Sequence, residues 1–254
     1  MPIIDTHAHI DQIENWLQAV EHALRAEVSD IVAVSVNWDS MRKVLNLVET
    51  TPQIKIHPAL GVHPGMVQDG LKPEVFDFIR SHISKAIAVG ETGLDYWYKW
   101  VRDNEQERAK QKDSFAKHLE IAKEFDLPII VHSRGAWRDC LSMTKSAGVK
   151  KVLFHWYSGP VDILQGILEE GFYVSTSPSV AYSPQSQEAM LAANLERILI
   201  ETDSPVSYRD GRTTFMSEPK DVFKTLKALS VLKKIKEEDL LNIVNHNARK
   251  FFRI

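Results

Sequence analysis

The sequence predicts a closed (β/α)8 barrel, the TIM-barrel class of α/β fold, formed by a single domain of residues 1–254. Short apolar runs rich in β-branched residues alternate with longer amphipathic stretches, and this alternation is typical of parallel strands joined by helices. The runs are continuously apolar, as in strands covered by protein on both faces. A chain of 254 residues also suits one large barrel.

Eight strands are predicted, one for each apolar run. They comprise residues 3–6, 30–36, 54–62, 86–91, 127–132, 152–155, 172–175 and 197–203. An open, doubly wound sheet is the alternative arrangement of such strands. That fold usually has a glycine-rich phosphate turn after its first strand, whereas residues 6–9 read Thr-His-Ala-His. The closed barrel is therefore favoured.

Two of the intervening helices carry clear apolar stripes. Their predicted buried positions are Phe115, Leu119 and Ala122 in one helix, and Val222, Leu226 and Leu229 in the other. Ser217, followed closely by a proline, is expected to cap the second helix. His118 lies in the first helix and is expected at the surface.

Composition narrows the class of protein further. A net charge of −3 argues against a broad basic face for duplex DNA or an anionic membrane. The single cysteine excludes an internal disulfide, which agrees with a reducing compartment. Neither a signal peptide nor an apolar run of the ~20 residues needed to span a membrane is expected. We therefore expect a cytoplasmic protein, and the sequence leaves its oligomeric state open.

The first predicted strand leads directly into His7 and His9. Residues i and i+2 of a strand point to the same side, so the two imidazoles can converge on one point. Imidazole is the commonest metal ligand in proteins. This stretch therefore predicts half of a metal site at the carboxyl end of the strand.

Compatible side chains stand at the ends of other predicted strands. The candidate metal ligands are His7, His9, Glu91, His132, His155 and Asp203, and His63 directly follows the third strand. In a barrel these ends meet at one mouth, where active sites of this fold are built. Any one of these residues alone has an ordinary structural explanation. Their joint occurrence favours a cation, because buried carboxylates and imidazoles are otherwise costly to desolvate.

The number and type of these ligands predict the cofactor. Mixed imidazole and carboxylate ligands suit Zn or Mn, with Mg where oxygen dominates. Six ligands exceed the three of a typical open catalytic site and fit two divalent metal ions that share a bridging carboxylate. Glu91 is the natural bridge. Two such ions could activate a water molecule for phosphodiester hydrolysis.

Several motifs, in order along nearly the whole chain, resemble those of TatD-type metal-dependent hydrolases. They are Ile-Asp-Thr-His-Ala-His-Ile-Asp, Gly-Val-His-Pro, Gly-Glu-Thr-Gly-Leu-Asp-Tyr, Val-His-Ser-Arg, Phe-His-Trp-Tyr-Ser-Gly, Glu-Thr-Asp-Ser-Pro and the closing Asn-His-Asn-Ala-Arg-Lys-Phe-Phe. The resemblance implies an amidohydrolase-superfamily barrel with divalent-metal-dependent deoxyribonuclease activity. DNA or another phosphodiester would then be the substrate.

The resemblance also implies roles for individual residues. One ion would be held by His7, His9, Asp203 and Glu91, and the other by Glu91, His132 and His155. His63 would face the substrate phosphate, with Arg134 as a further phosphate contact. Glu91, Asp203 and His63 would be the catalytic residues, with Asp203 also a candidate proton shuttle.

Two segments depart from the family pattern and leave the substrate open. The family commonly has Cys-Phe-Ser-Gly where residues 156–159 read Trp-Tyr-Ser-Gly, and its Arg-Asn-Glu-Pro motif is represented only by residues 217–219. The aromatic residues of segment 96–102, together with Trp156 and Tyr157, suit stacking on single-stranded bases. A hydrophobic lid or a dimer contact explains them equally well.

Three functions are compatible with these observations. The leading hypothesis is a deoxyribonuclease that acts like a 3′-to-5′ exonuclease on single-stranded or frayed DNA. The second is a metal-dependent amidohydrolase or esterase, such as an aminoacyl-tRNA deacylase. The third is a non-catalytic binding protein stabilised by metal.

Overall fold

A computed structural model describes residues 2–68 and 70–254 and shows eight parallel strands, each paired with the next along the chain. The strands are β1 (Ile3–Ala8), β2 (Val28–Val34), β3 (Lys55–Leu60), β4 (Ala88–Asp95), β5 (Ile129–Arg134), β6 (Val152–Phe154), β7 (Tyr173–Thr176) and β8 (Ile198–Ile200). Helices alternate with these strands. The order confirms the predicted (β/α)8 barrel.

Nine α-helices are found in the described part of the chain. They are α1 (Trp16–Arg25), α2 (Trp38–Thr50), α3 (Pro73–His82), α4 (Glu105–Glu124), α5 (Trp137–Ala147), α6 (Val161–Glu169), α7 (Pro184–Ala192), α8 (Val222–Lys233) and α9 (Glu237–Phe252). The stripes predicted on α4 and α8 are buried. None of the helices within the described ranges combines the length and apolar character that a membrane crossing requires.

Ser217 does not cap α8, contrary to expectation. A single helical turn, Pro219–Asp221, precedes α8, and Glu218 and Asp221 form a reciprocal capping box around that turn. The Ser217 hydroxyl instead accepts a hydrogen bond from the Val206 N–H at 3.0 Å. Glu218 is the N-cap because it directly precedes Pro219, which occupies the first helical position, where its missing N–H costs nothing.

The barrel closes through a short junction between β1 and the segment after β8. Ala8 and Ser204 form an isolated parallel bridge, and the His9 N–H donates to the Ser204 carbonyl at 2.7 Å. Beneath this bridge, the Asp5 carboxylate accepts hydrogen bonds from the Thr202 N–H at 2.9 Å and the Thr202 hydroxyl at 2.6 Å. The junction therefore ties the two ends of the sheet together directly below His9.

A compact apolar layer fills the barrel beneath the carboxyl ends of its strands. It comprises Ile4, Val32, Val34, Ala59, Ala88, Ile130, Leu153, Tyr173 and Leu199 from the strands, with Ala248, Phe251 and Phe252 from α9. The end of α9 thus plugs the barrel floor, at the end opposite the strand termini that carry the predicted site. Because apolar side chains fill this end of the barrel, the active site is expected at the other end, as in barrels of this class.

A two-stranded hairpin, β9 (Ser207–Asp210) and β10 (Thr213–Met216), follows β8 and was not predicted. The two-residue turn between the strands is Gly211-Arg212, and Gly211 has φ +60°. Glycine at the first turn position, where φ is positive, is typical of tight hairpins. The hairpin projects from the same end of the barrel as the predicted site.

The prediction that His118 lies at the surface is wrong, since its side chain is fully buried in α4. The His118 Nδ1–H donates to the Ser114 carbonyl at 2.7 Å, and Nε2 accepts from the Val62 N–H at 3.1 Å. The imidazole thereby fixes the chain immediately before His63. Burial lowers the pKa of His118 to about 4.

This buried histidine should make the protein sensitive to acid. The pKa of His118 is about 4 in the folded chain and 6.5 ordinarily, so between these values the unfolded state binds more protons and stability falls as the pH falls. At about pH 5 the loss attributable to His118 should be about 2 kcal/mol relative to neutral pH. Urea unfolding in a chelator should show a correspondingly smaller loss for His118→Gln. An equal loss in both proteins would contradict the prediction.

Candidate metal centre

The centre of the barrel mouth is Glu91, a buried carboxylate on β4. Its Oε1 lies 2.7 Å from His155 Nε2 and 2.8 Å from His132 Nδ1. Its Oε2 lies 3.3 Å from His9 Nε2 and 3.5 Å from His7 Nε2. Each oxygen of one carboxylate therefore faces a separate pair of imidazoles.

The first half of the centre joins Asp203 to the imidazoles of His7 and His9. Asp203 Oδ1 lies 3.4 Å from His7 Nε2 and 3.2 Å from His9 Nε2, and the two Nε2 atoms are 3.3 Å apart. Donors bound tetrahedrally to one ion at about 2.0–2.2 Å are separated by roughly 3.3–3.6 Å. Asp203 Oδ1 is buried without a hydrogen-bond partner. Both the spacing and this unpartnered oxygen fit a cation between the three residues.

The second half of the centre contains His132 and His155, whose site-facing nitrogens are 3.3 Å apart. His63 Nε2 lies 3.3 Å from His132 Nδ1 and 3.7 Å from Glu91 Oε1. His63, Glu91 and His132 form a second group of donor atoms close enough to share an ion. The structure thus brings together all six candidate ligands and His63.

Hydrogen bonds away from the centre indicate which nitrogen of each imidazole carries its proton. His9 Nδ1 lies 2.9 Å from the Val34 carbonyl. His132 Nε2 lies 3.1 Å from Asp95 Oδ2, and His155 Nδ1 lies 3.3 Å from Glu201 Oε1. Since carbonyl and carboxylate oxygens accept, these outer nitrogens donate when the imidazole is neutral. The lone pairs of His9, His132 and His155 then point into the centre, as metal ligands require.

His63 has the opposite arrangement. Its Nδ1 accepts a hydrogen bond from the Gly65 N–H at 2.9 Å, so a neutral His63 carries its proton on the site-facing Nε2. Burial lowers the pKa of His63 to about 3, against the opposing charge of Glu91. His63 is therefore a neutral hydrogen-bond donor at the edge of the centre, unlike the imidazoles beside it.

Both central carboxylates are ionised. Burial alone would raise the pKa of Glu91, but electrostatic attraction by the surrounding imidazoles, that of His155 above all, holds it well below its usual value. Burial likewise opposes ionisation of Asp203, and its close contacts with the imidazoles of His9 and His7 bring its pKa below the ordinary value. A centre with fixed anionic oxygens and inward lone pairs can hold divalent cations.

Two candidate ligands reach the centre where the sheet departs from regular pairing. Because Ile4 and Ala88 point into the barrel, strict alternation would turn His7 and Glu91 outward. The pairing of β1 with β2 shifts between Asp5 and Ala8, and that of β4 with β5 shifts between Val89 and Thr92. His7 lies within the first shift and Glu91 within the second, so each irregularity contains a residue that faces the site.

Glu201 is a buried carboxylate of the site that the sequence predictions missed. It accepts a hydrogen bond from the Ser175 hydroxyl and faces His155, and with His7 and His155 it forms a third group of clustered donor atoms. A signal was present in the sequence. Leu199 points into the barrel, and alternation places Glu201 and Asp203 on the same face.

Arg134 lies at the rim and outside the cluster. Its side chain is exposed, and its guanidinium lies 4.7 Å from the ring centroid of Trp97. Trp156 is partly buried, and its indole N–H donates to the Ser179 hydroxyl at 2.8 Å. Tyr157 is fully buried and donates to the Pro160 carbonyl, so the prediction that it stacks on bases is wrong.

The fold and this centre define a class: a TIM barrel with an imidazole–carboxylate centre at the carboxyl ends of its strands. The family model of TatD related DNase matches residues 4–253. The metal-dependent hydrolase YabD of Bacillus subtilis is 30% identical over 262 residues, which cover 99% of each chain. The human deoxyribonuclease TATDN3 is 28% identical over 98% of this chain and 94% of its own.

A solved structure agrees with the fold. YjjV, a TatD homologue from Escherichia coli, superposes with a TM-score of 0.90 at 22% identity, over 99% of this chain and 98% of that one. The match of the family model extends over nearly the whole barrel. The chain belongs to the TatD related DNase family, which confirms the resemblance seen in its motifs.

Proposed function

We propose that this protein is a divalent-metal-dependent deoxyribonuclease that hydrolyses phosphodiester bonds at the mouth of the barrel. The observation that carries the proposal is the position of Glu91, because each of its two carboxylate oxygens faces a separate pair of imidazoles. Such an arrangement suits two cations bridged by one carboxylate. The family and the name of its human relative support DNA as the substrate.

We assign the two ions to the two halves of the centre. His7, His9 and Asp203 would hold one ion, and His132 and His155 the other, with Glu91 between them. Mg, Mn and Zn are all compatible with these donors. When bound, such a pair of ions lowers the pKa of a water molecule and neutralises charge on the phosphoryl group.

The remaining residues act on the substrate. His63 would donate its Nε2–H to an oxygen of the scissile phosphate, which its tautomer and low pKa permit. Arg134 would contact a neighbouring phosphate from the rim. Asp203, whose Oδ1 has no hydrogen-bond partner, could also take a proton from the attacking water. The single cysteine, Cys140, is free and buried, which supports a cytoplasmic site of action.

Metal removal and reloading test this function. The protein stripped by chelation should not cleave single-stranded DNA, and reloading with Mg, Mn or Zn should restore cleavage with two ions bound per chain. Elemental analysis gives the stoichiometry, and an end-labelled strand gives the polarity. A panel of aminoacyl esters and amides serves as the comparison. Hydrolysis of that panel without cleavage of DNA would replace this proposal by the amidohydrolase alternative.

A prediction concerns Glu201, which orients His155 from outside the centre. Partners of this kind typically contribute about 10–100-fold to metal affinity. Glu201→Gln, which preserves the volume, should weaken metal binding by about that factor while saturating metal restores most of the turnover. Calorimetric titration with Mn measures the affinity, and exposed Glu196→Gln is the matched control. Unchanged affinity would show that Glu201 serves only the core.

A further inference from the structure

The loop that follows β4 is attached directly to the metal centre. Asp95 Oδ2 lies 3.1 Å from His132 Nε2, while its Oδ1 accepts a hydrogen bond from the Trp97 N–H at 2.8 Å. One carboxylate therefore positions both a candidate ligand and the backbone of Trp97. The backbone of Trp97 is therefore held in place relative to the candidate metal centre, although the residue lies at the rim.

Trp97 is exposed yet supported from one side. The guanidinium of Arg134 lies 4.7 Å from its ring centroid. A Cβ added at Gly135 would come within 2.4 Å of the indole Cδ1, so the ring packs closely on that glycine. Even so, 53% of the Trp97 surface remains accessible. An indole that packs against neighbouring residues and is still half exposed loses little conformational entropy when a flat ligand stacks on it.

Tyr98 extends this surface towards the centre. Its ring meets His63 edge-to-face with centroids 6.4 Å apart, and it stacks on Trp100 with centroids 5.7 Å apart. Its hydroxyl lies so close to Gly65 that a Cβ there would approach it within 2.6 Å. Gly65 is the residue whose N–H sets the tautomer of His63. The aromatic surface therefore ends at His63, the imidazole that would face the scissile phosphate.

The charged side chains at this rim indicate which kind of ligand the aromatic residues would bind. Arg134, Lys99 and Arg102 are exposed on or beside the same loop. The guanidinium of Arg134 is exposed and contacts the indole of Trp97. Flat aromatic faces beside exposed cations fit a base attached to a phosphate chain better than an apolar protein surface.

We propose that Trp97 and Tyr98 form a stacking platform for an unpaired nucleobase next to the scissile phosphate. The cation of Arg134 supports the platform from behind. This inference rests on the proposed nuclease function and deepens it, because it names the part of the substrate that is recognised. Recognition by stacking tolerates every base, since each has a π-face. It also requires a base that has left the duplex stack.

The test compares two strands of equal length, oligothymidylate and a base-free abasic phosphodiester, with the metal-loaded protein. Trp97→Ala should lower kcat/KM on oligothymidylate by about 5- to 100-fold and leave the abasic strand unaffected. Trp97→Phe should keep most of the activity. Phe125→Ala removes an exposed aromatic residue at the far end of α4 and should change neither substrate. Fluorescence anisotropy in a chelator should give the same order for binding, independently of cleavage.

The outcomes separate this inference from the function on which it rests. If the unaltered protein cleaves neither strand, the nuclease function fails. If it cleaves both and Trp97→Ala slows both equally or neither, the platform is refuted while the nuclease stands. A concentration-dependent dimer in sedimentation that Trp97→Ala dissociates, with base preference unchanged, would make this surface an interface between copies instead.

Discussion

Replacing Glu91 by glutamine should reduce DNA cleavage by at least about 10³-fold, the largest effect expected for any single residue of this protein. Glutamine keeps the size of the side chain but removes the negative charge that both imidazole pairs share. Two metal ions bridged by one carboxylate stabilise the transition state by several kcal/mol. Each 1.36 kcal/mol corresponds to about tenfold in rate. The loss should persist at saturating metal.

Elemental analysis checks the cause of that loss. Glu91→Gln should retain fewer ions per chain than the unaltered protein, since neither half of the centre keeps its shared carboxylate. Glu124→Gln, which affects only a surface ion pair with Arg80, should retain both metal and activity. Native rates in a Glu91→Gln protein reloaded with metal would refute the two-ion assignment.

The second-largest effect is expected at His63, and it should differ in kind. His63→Ala should lower kcat by about 10²–10³-fold, the usual cost of removing one preorganised donor to developing charge. We expect the number of bound ions to stay the same, because the hydrogen bond from the Gly65 N–H to Nδ1 leaves the proton of a neutral His63 on the Nε2 that faces the centre. His63→Gln, whose amide can donate in a similar direction, should recover part of the rate.

Metal analysis distinguishes this role from ligation. Loss of one ion equivalent from His63→Ala would place His63 in the coordination shell and contradict the tautomer argument. His246→Ala provides the control, since that imidazole is exposed on α9. Its rate and metal content should both be unchanged.

Much of this molecule was predictable from sequence because continuous apolar runs make the strands recognisable. Each of the eight predicted strands overlaps an observed one. His132 and His155 follow the regular alternation from the interior residues Ile130 and Leu153, so their convergence could be inferred from strand position alone. The topology then brought distant segments to one mouth. The family resemblance is confirmed by the model that matches residues 4–253.

The errors have separate physical causes. The surface position predicted for His118 is wrong because hydrogen bonds to two backbone groups offset the cost of burying its polar imidazole. The prediction placed a ligand only at the last position of the final strand, Asp203, whereas alternation puts Glu201 on the same face. The position of Tyr157 depended on the path of the chain beyond β6, which no periodicity in the sequence encodes.

The two shifts of strand pairing have a consequence for anyone transplanting this chemistry. A designer who copied only the histidines and carboxylates onto an idealised barrel would find that two of them turn away towards the surrounding helices. The irregular backbone around His7 and Glu91 would have to be copied as well. In this protein, two of the candidate ligands therefore depend on irregular strand pairing as much as on residue identity.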